Sequence, residues 1–165
     1  MRNLVTDIEN KIMPLIKVVE KREEWKAAGK KVVFTNGVFD ILHAGHVRSL
    51  MQAASFGDRL VVGLNTDSSV KRLKGESRPV VNEDNRALLL AALSFLDAVV
   101  LFDDDTPIHL ITTILPDVLV KSADYTPENI VGAKEVVDNG GEVKIATLIE
   151  GLSTSNIIKK IKEIF

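Results

Sequence analysis

Two of the three histidines in the chain, His43 and His46, stand three residues apart in the stretch FTNGVFDILHAGH, which begins at Phe34. A β-like run and a glycine-bearing turn precede them, and a helical pattern starts at Gly45. Residues three apart project from the same side of a helical turn, and a helix N-terminus offers free N–H groups that favour an anion such as phosphate. Two imidazoles beside such a site could donate hydrogen bonds to a phosphate, and Gly45 between them would let the backbone approach the ligand closely.

Two other interpretations of the histidine pair stay open. Buried histidines that hydrogen-bond to backbone carbonyls are common in protein cores. A zinc pair is the second alternative, but zinc requires a third and a fourth ligand, and no obvious partner stands near the pair in the sequence. The third histidine, His109, lies in an apolar helical pattern and is interpreted as a structural or surface residue.

Apolar β-branched runs alternate with helical patterns from Lys31 onward. The predicted strands are Val32–Thr35, Leu60–Leu64, Ala98–Phe102, Val118–Val120 and Val143–Ala146. The predicted helices are Gly45–Ser55, Glu83–Leu96, Pro107–Leu115, Glu128–Asp138 and Thr154–Ile164. Short strands that alternate with helices form βαβ units with right-handed crossovers. The sequence therefore predicts an α/β fold with a Rossmann-like, doubly wound parallel five-stranded sheet.

Two segments stand outside this alternation. Residues 1–29 are predicted to be an N-terminal helical extension, with a helix from Pro14 to Ala28 that ends at Gly29, and residues 30–165 to be a single α/β domain. The stretch from Asn65 to Asn82 has no clear apolar period and is predicted to be a basic loop. Because ligands bind outside the carboxyl ends of the strands in such sheets, this loop is expected at the rim of the site.

Composition excludes several classes of function. A chain of 165 residues is long enough for one domain with a sizeable core. A net charge of −2 gives no electrostatic reason to expect a nucleic-acid partner. Without cysteine there is no disulfide and no thiolate nucleophile. No apolar run is long enough to cross a membrane, and the polar start does not resemble a signal peptide, so a cytoplasmic location is expected.

Five ordered motifs resemble the nucleotidylyltransferase superfamily. HAGH after NGVFD resembles its H-x-G-H signature, and the other four, in order, are RLKGESRPV, NEDNRALLLAAL, PDVLVKSADY and EGLSTSNII. The residues of these motifs are most similar to those of the D-glycero-β-D-manno-heptose 1-phosphate adenylyltransferase domain, which in many bacteria is fused to a heptose kinase. The resemblance spans Lys31 to Phe165 and implies that residues 30–165 form a nucleotidylyltransferase domain.

The resemblance implies a reaction in which ATP and a sugar 1-phosphate give an ADP-sugar and pyrophosphate, with Mg²⁺ held mainly by the ATP phosphates. It also implies a homo-oligomer and a separate heptose kinase in a pathway to the lipopolysaccharide core. One rival is a cytidylyltransferase that makes CDP-glycerol or a CDP-aminoalcohol. Another is a nucleotide-binding regulatory module without catalysis. Turnover of ATP or CTP with detection of pyrophosphate would separate these alternatives.

The resemblance also implies roles for individual residues. Those assigned to catalysis are His43, His46 and Lys74. Those assigned to the nucleotide are Asn36, Gly37, Phe39, Gly45, Arg86, Ser153, Thr154 and Ser155. Those assigned to the substrate are Asp40, Lys121 and Asp124.

Structural alternatives exist for some of these assignments. A surface lysine is the alternative for Lys74 and a plain salt bridge the alternative for Arg86. Turn capping is as good an interpretation for Asp40 as a substrate contact. The hydroxyl residues 153–155 suit an N-cap and a phosphate contact together. The roles of Lys71, Arg72 and Arg78 are left open.

The sequence departs from the family pattern at two places. Ser122 and Ala123 replace two glycines of the family's K-G-G-D-Y segment, which puts the substrate contacts in question more than the ATP contacts. Cytidylyltransferases carry an arginine just before the E-G-I-S-T-T motif, whereas here Leu148 and Ile149 precede Glu150. The second departure favours the adenylyltransferase group.

Overall fold

A computed structural model of the chain describes residues 3–122, 130–147 and 153–164. In this part of the chain five parallel strands form one sheet in the order β3-β2-β1-β4-β5. The strands are β1 (Val32–Gly37), β2 (Arg59–Asn65), β3 (Ala98–Phe102), β4 (Val118–Ser122) and β5 (Glu142–Ala146). The predicted Rossmann-like α/β fold is confirmed, and every predicted strand is present with bounds that differ by at most two residues.

Helices cover both faces of the sheet. They are α1 (Leu4–Glu9), α2 (Leu15–Ala27), α3 (Ala44–Ala54), α4 (Asp67–Lys74), α5 (Glu83–Ala91), α6 (Ile108–Ile114), α7 (Ala133–Asp138) and α8 (Thr154–Ile164). Successive residues of a strand point to opposite faces, and β1 shows this clearly. Val33 packs in the layer that contains α3 and α5, whereas Val32 and Phe34 pack in the layer that contains α2, α6 and α7.

The order of the strands places the binding edge of the sheet. The chain moves from β1 to β2 and β3 on one side, and then returns to β4 and β5 on the other side. The topological switch point therefore lies between β1 and β4, and ligands of open α/β sheets bind outside the carboxyl ends of the strands at this point. The loop from β1 to α3 leaves the sheet there, and it ends at His43, the N-cap of α3, while His46 lies in the first turn of that helix.

The segment from Asn65 to Asn82 differs from its prediction as a loop, because it contains α4. The side chain of Thr66 caps this helix by accepting a hydrogen bond from the backbone N–H of Ser69. Only Ser69 and Val70 of its eight residues are buried, so the helix has no apolar stripe for a sequence pattern to reveal. The helix delivers Lys74 to the rim of the sheet.

The N-terminal segment packs directly on the sheet. Val18 of α2 is fully buried, and Arg22 pairs with Asp117 at 2.9 Å at the start of β4. Ile12 forms an isolated parallel bridge with Val99 of β3. Helix α2 matches the helix predicted from Pro14 to Ala28, while the domain boundary at residues 29–30 stays a prediction. In the described ranges of the chain, no helix is both long and apolar enough to cross a membrane.

Candidate active site

A cavity of about 650 Å³ opens at the carboxyl ends of the strands. Most of the residues predicted from the sequence line it, namely Asn36, Gly37, Phe39, Asp40, His43, Gly45, His46, Lys74, Lys121, Ser153, Thr154 and Ser155. Arg86 is not among the lining residues, and Asp124 lies outside the described residues. The cavity thus collects residues from the β1–α3 loop, the end of α4, the end of β4 and the start of α8.

The two histidines are held by helix α3 and by each other. His43 is the N-cap of this helix, and its Nδ1 accepts hydrogen bonds from the backbone N–H groups of Gly45 at 3.1 Å and His46 at 3.4 Å. The rings of His43 and His46 stack with their centroids 3.8 Å apart. The ring of Phe39 meets that of His46 edge-on at 5.4 Å. The imidazoles are therefore fixed in orientation before any ligand binds.

The hydrogen bonds of His43 determine its tautomer. Because Nδ1 accepts from two backbone donors, the neutral ring carries its proton on Nε2. The Nε2 atom of His43 and the Nδ1 atom of His46 are buried, and neither has a hydrogen-bond partner within the described part of the chain. Each buried polar atom of this kind costs free energy unless a ligand or water satisfies it. The pair thus provides a donor at Nε2 of His43 for which the described residues offer no acceptor, and His43 lines the cavity.

Burial keeps both imidazoles neutral at physiological pH. Burial lowers the pKa of His43 below its usual value of 6.5. For His46, burial is again the main cause, the neighbouring His43 adds to it, and the charge of Asp40 opposes it, so that the pKa falls to about 4. The free protein therefore presents the histidine pair as neutral imidazoles.

The loop between β1 and α3 has an unusual backbone. Phe39 and Ile41 have φ angles of 48° and 50°, in the left-handed region that favours glycine. A left-handed residue with a side chain costs roughly 1–2 kcal/mol, and such conformations cluster at functional sites, where the surrounding structure enforces them. A Cβ atom added at Gly37 would lie 3.1 Å from the ring of Phe39. Glycine at position 37 therefore allows the ring to fold back over the end of β1.

The carboxylate of Asp40 is hydrogen-bonded to other groups of the protein. Asp40 is 1% exposed, and its two oxygens accept hydrogen bonds from Nε of Arg78 at 2.8 Å and from the backbone N–H groups of Val80 and Val81 at 2.9 Å. Burial alone would raise the pKa of this carboxyl, but these hydrogen bonds and the charge of Arg78 lower the pKa below its usual range. Asp40 is therefore an ionised anchor for residues 78–81, which matches the turn-capping alternative more closely than a direct substrate contact.

The guanidinium of Arg86 is also hydrogen-bonded to other groups of the protein. It is 1% exposed, its Nε donates to the carbonyl of Val81, and its Nη1 donates to the carbonyls of Val38 and Asn65. Its Nη2 pairs with Asp67 at 2.6 Å. These contacts fasten α5 to the β1–α3 loop and to the start of α4. The phosphate contact expected for Arg86 stays a prediction, and this geometry supports the salt-bridge alternative instead.

Among the four basic residues of the segment from Asn65 to Asn82, the structure brings two to the cavity. Lys74, at the end of α4, and Arg78 both line it. Lys71 and Arg72 are not lining residues, and Arg72 pairs with Asp105 at 2.8 Å. The sequence had singled out Lys74 and left Arg78 open. The structure therefore adds Arg78 to the candidate site.

Lys121 brings a third cation into the cavity from the end of β4. Its Nζ donates to Oδ1 of Asn36, on the neighbouring strand β1. The lysine is 8% exposed, and burial lowers its pKa to about 8. A lysine with this pKa is still mainly protonated at neutral pH, but it becomes neutral under mildly alkaline conditions.

The start of α8 forms another wall of the cavity. The hydroxyl of Ser153 accepts a hydrogen bond from the backbone N–H of Asn156 at 3.1 Å, which is the contact of an N-cap. The hydroxyl of Thr154 donates to the carbonyl of Asp40 at 2.6 Å, and Ser155 lines the cavity. The N-cap part of the predicted double role is thus present, and the first turn of α8 faces the site.

Some lining residues were not predicted from the sequence. They lie at the ends of β2 and β3, in α4, at the start of α6 and just before α7, and they include Asn65, Leu73, Phe102, Pro107 and Val131. The rule that ligands bind at the carboxyl ends of strands could have indicated the first and third of them. Within the described ranges, no group of three or more histidine, aspartate or glutamate side chains is placed to hold a metal ion.

Comparison with known proteins identifies related sequences over most of the chain. The family model described as cytidylyltransferase-like matches residues 34–160. The bifunctional protein HldE of Geobacter metallireducens is 54% identical over 156 residues, which are 94% of this chain and 32% of the relative. The HldE protein of Histophilus somni is 58% identical over 84% of this chain and 29% of the relative. The chain therefore spans about a third of the length of these curated relatives.

Two solved structures share the fold. A lipopolysaccharide core biosynthesis protein from Thermoplasma volcanium has a TM-score of 0.59 and 29% identity, over 73% of this chain and 98% of that chain. A pantoate–β-alanine ligase from Francisella tularensis, solved with β-γ ATP and β-alanine, has a TM-score of 0.60 and 14% identity, over 92% of this chain and 76% of that chain. At that identity the second likeness concerns the fold alone.

Proposed function

Because the chain belongs to the cytidylyltransferase-like family, we propose that it is a nucleotidyltransferase that transfers AMP from ATP to a sugar 1-phosphate. The proposed acceptor is D-glycero-β-D-manno-heptose 1-phosphate, and the products are ADP-heptose and pyrophosphate, for the lipopolysaccharide core. The motifs of the sequence support the choice of sugar. The printed names of the relatives, bifunctional protein HldE and lipopolysaccharide core biosynthesis protein, agree with it.

One observation carries the proposal. Two stacked, neutral imidazoles lie in a cavity at the switch point of the sheet, each with a buried ring nitrogen that has no partner among the described residues. Packing alone explains neither the absence of a partner nor the N-cap that orients the proton of His43 towards Nε2. A phosphate at the N-terminus of α3 would satisfy the Nε2 donor and would also meet the positive end of the helix.

The reaction requires no covalent intermediate with the protein. An oxygen of the sugar phosphate attacks the α-phosphorus of ATP, a new P–O bond forms, and the bond to the β-phosphate breaks so that pyrophosphate leaves. Such transfers depend on positioning and on stabilisation of negative charge. In this proposal Nε2 of His43 donates to a phosphate oxygen whose charge increases in the transition state. Lys74 and Lys121 bind the phosphate oxygens of the substrates as cations.

Mg²⁺ is part of the proposal as a partner of the triphosphate. The carboxylate of Asp40, which lines the cavity, is occupied by Arg78 and by backbone donors. The other acidic lining residue, Asp105, pairs with Arg72. The described residues therefore fit an ion that is held mainly by phosphate oxygens and water, which is how Mg²⁺ commonly binds with nucleotides. When bound, the ion neutralises part of the triphosphate charge.

The decisive experiment is turnover with Mg²⁺, ATP or CTP, and a panel of sugar and alcohol phosphates, with release of pyrophosphate as the readout. The proposal expects release with ATP and heptose 1-phosphate. Release with CTP and glycerol 3-phosphate or an aminoalcohol phosphate would establish the rival cytidylyltransferase. Binding of ATP without turnover of any acceptor would support the regulatory module. A homo-oligomer, a cytoplasmic location and a kinase that forms the sugar 1-phosphate belong to the same proposal.

A further inference from the structure

Arg78 is held at the wall of the cavity by a protected ion pair. Its Nε donates to Asp40 at 2.8 Å, and the side chains of Arg78 and Asp40 are 18% and 1% exposed. In the part of the chain that the structure describes, the two terminal nitrogens of Arg78 have no hydrogen-bond partner. The residue lines the cavity of the candidate site. One edge of the guanidinium is thus anchored, while the edge formed by its terminal nitrogens is unoccupied.

Asp40 fixes the backbone next to Arg78 as well as its side chain. The same carboxylate accepts hydrogen bonds from the N–H groups of Val80 and Val81, both at 2.9 Å. Its own carbonyl accepts from the hydroxyl of Thr154, at the start of α8. A single buried residue therefore connects the β1–α3 loop, the segment after α4 and the first turn of α8. An arginine that is held in this way loses less conformational freedom when it binds a ligand than a free surface arginine would lose.

We propose that Arg78 binds a phosphate group in the transferase site and that Asp40 is the positioning residue that directs it there. This inference rests on the proposed function and deepens it, because it adds a binding residue that the sequence motifs left open. The unoccupied edge of a guanidinium matches two oxygens of one phosphate. The phosphate is that of the pyrophosphate portion of ATP or that of the sugar 1-phosphate, and separate titrations distinguish these two sources.

The test compares Arg78→Gln and Arg78→Lys with the wild-type chain and with Arg48→Gln. Arg48 is a matched control because it is an exposed arginine on α3 that does not line the cavity. Each protein is titrated calorimetrically with Mg-ATP, inorganic pyrophosphate and heptose 1-phosphate. Loss of a charged hydrogen bond predicts a dissociation constant on the order of ten- to a hundredfold higher for at least one ligand in Arg78→Gln. The control is expected to bind all three ligands like the wild type.

The Lys variant tests the positioning without altering Asp40. Lysine keeps the charge but has neither the Nε contact nor the planar fork, so the expected affinity of Arg78→Lys lies between those of Arg78→Gln and the wild type. Full wild-type affinity in Arg78→Lys would refute the positioning role of Asp40, because it would show that residue 78 contributes only a positive charge. Wild-type affinity of Arg78→Gln for all three ligands would overturn the whole inference.

A double-mutant cycle tests whether Asp40 acts through Arg78. Asp40→Asn is expected to weaken binding of the ligand identified above, and to weaken it much less when Arg78→Gln is already present. A purely structural role for Asp40 would lower affinity equally in both backgrounds, which would refute the positioning role. Near-UV circular dichroism shows whether the Asp40→Asn chain is folded, and if it is not, the Arg78→Lys arm decides.

Failure of this inference is distinguishable from failure of the proposed function. A wild-type chain that binds none of the three ligands and releases no pyrophosphate would overturn both. A wild-type chain that binds and turns over its substrates, together with an unaffected Arg78→Gln variant, would overturn the inference alone.

Discussion

The two nitrogens of His43 have different tasks, and substitutions can separate them. Nδ1 caps α3 by accepting from the N–H groups of Gly45 and His46, whereas Nε2 is buried at the cavity without a partner among the described residues. The side-chain oxygen of asparagine lies about where Nδ1 lies, so His43→Asn keeps the cap and removes the donor. The side-chain amide of glutamine reaches about as far as Nε2, so His43→Gln keeps a donor and removes the cap.

The two substitutions are expected to affect different quantities, Tm in one case and kcat in the other. Loss of an N-cap costs about 1 kcal/mol of stability, which for a chain of this size lowers Tm by roughly 2–4 °C. Loss of one donor that meets developing negative charge lowers kcat by roughly 10²–10³-fold. We therefore expect His43→Asn to keep the wild-type Tm and lose kcat. We expect His43→Gln to lose stability and to keep considerably more of kcat.

The assay pairs calorimetric melting with steady-state release of pyrophosphate on the same preparations. Arg48→Gln, on the outer side of the same helix, serves as the control for both readouts, since Arg48 is exposed and does not line the cavity. Wild-type kcat in His43→Asn would show that His43 is only a cap and would refute the reasoning on Nε2. Equal losses of Tm in both variants would refute the assignment of Nδ1 as the capping atom.

Three further predictions follow from the buried ionisable side chains. His46 becomes protonated below its usual pKa of 6.5 in the unfolded chain, but only near pH 4 in the folded chain. The free energy of unfolding should therefore decrease as the pH falls from about 6.5 to about 4. Over this range Tm should decrease less in His46→Asn than in the wild type. Burial lowers the pKa of Lys121 to about 8 and a bound anion raises it again, so calorimetry at about pH 9 should detect proton uptake when ATP binds, which Lys121→Met abolishes. Arg86→Met leaves Asp67 and three carbonyls without their donor, and denaturant unfolding should show a loss of roughly 3–5 kcal/mol.

Each of these predictions has a clear contradictory result. An unchanged pH dependence of Tm in His46→Asn would show that this ring is not the group that titrates. Proton uptake that persists in Lys121→Met would assign it to another residue. A stable Arg86→Met chain that has lost affinity for ATP would restore the phosphate contact predicted from the sequence.

The sheet could be predicted from the sequence because its signal is local. Buried parallel strands are continuous apolar runs, and the run at Val32–Thr35 became β1, which extends two residues further to Gly37. Helix α8 was predicted with the bounds that the structure shows, Thr154–Ile164. The clustering of the motif residues at one cavity follows from the same topology, since the carboxyl ends of parallel strands meet at one edge of the sheet.

The partners of the charged residues could not be predicted, because they depend on contacts between distant segments. An arginine at position 86 has the same sequence signature whether it binds phosphate or a carbonyl, and only the fold places the carbonyl of Val38 beside it. Likewise, nothing in the sequence pairs Asp40 with Arg78, which are 38 residues apart. Sequence motifs therefore pointed to residues that line one cavity, while the hydrogen bonds among them required the structure.

The low pKa of His46 also affects which residues of the candidate site can attract a triphosphate. Because the imidazole pair is neutral in the free protein, it supplies no net charge to attract a triphosphate from solution. In the proposed function that attraction comes from the cations that line the cavity, such as Lys74 and Lys121, and from the helix N-termini. In the proposed reaction, Nε2–H of the neutral His43 donates to a phosphate oxygen while Nδ1 still caps α3, and this hydrogen bond strengthens as negative charge develops in the transition state. In the proposed function the cations therefore act mainly on binding, whereas the histidines act mainly on the rate of the chemical step.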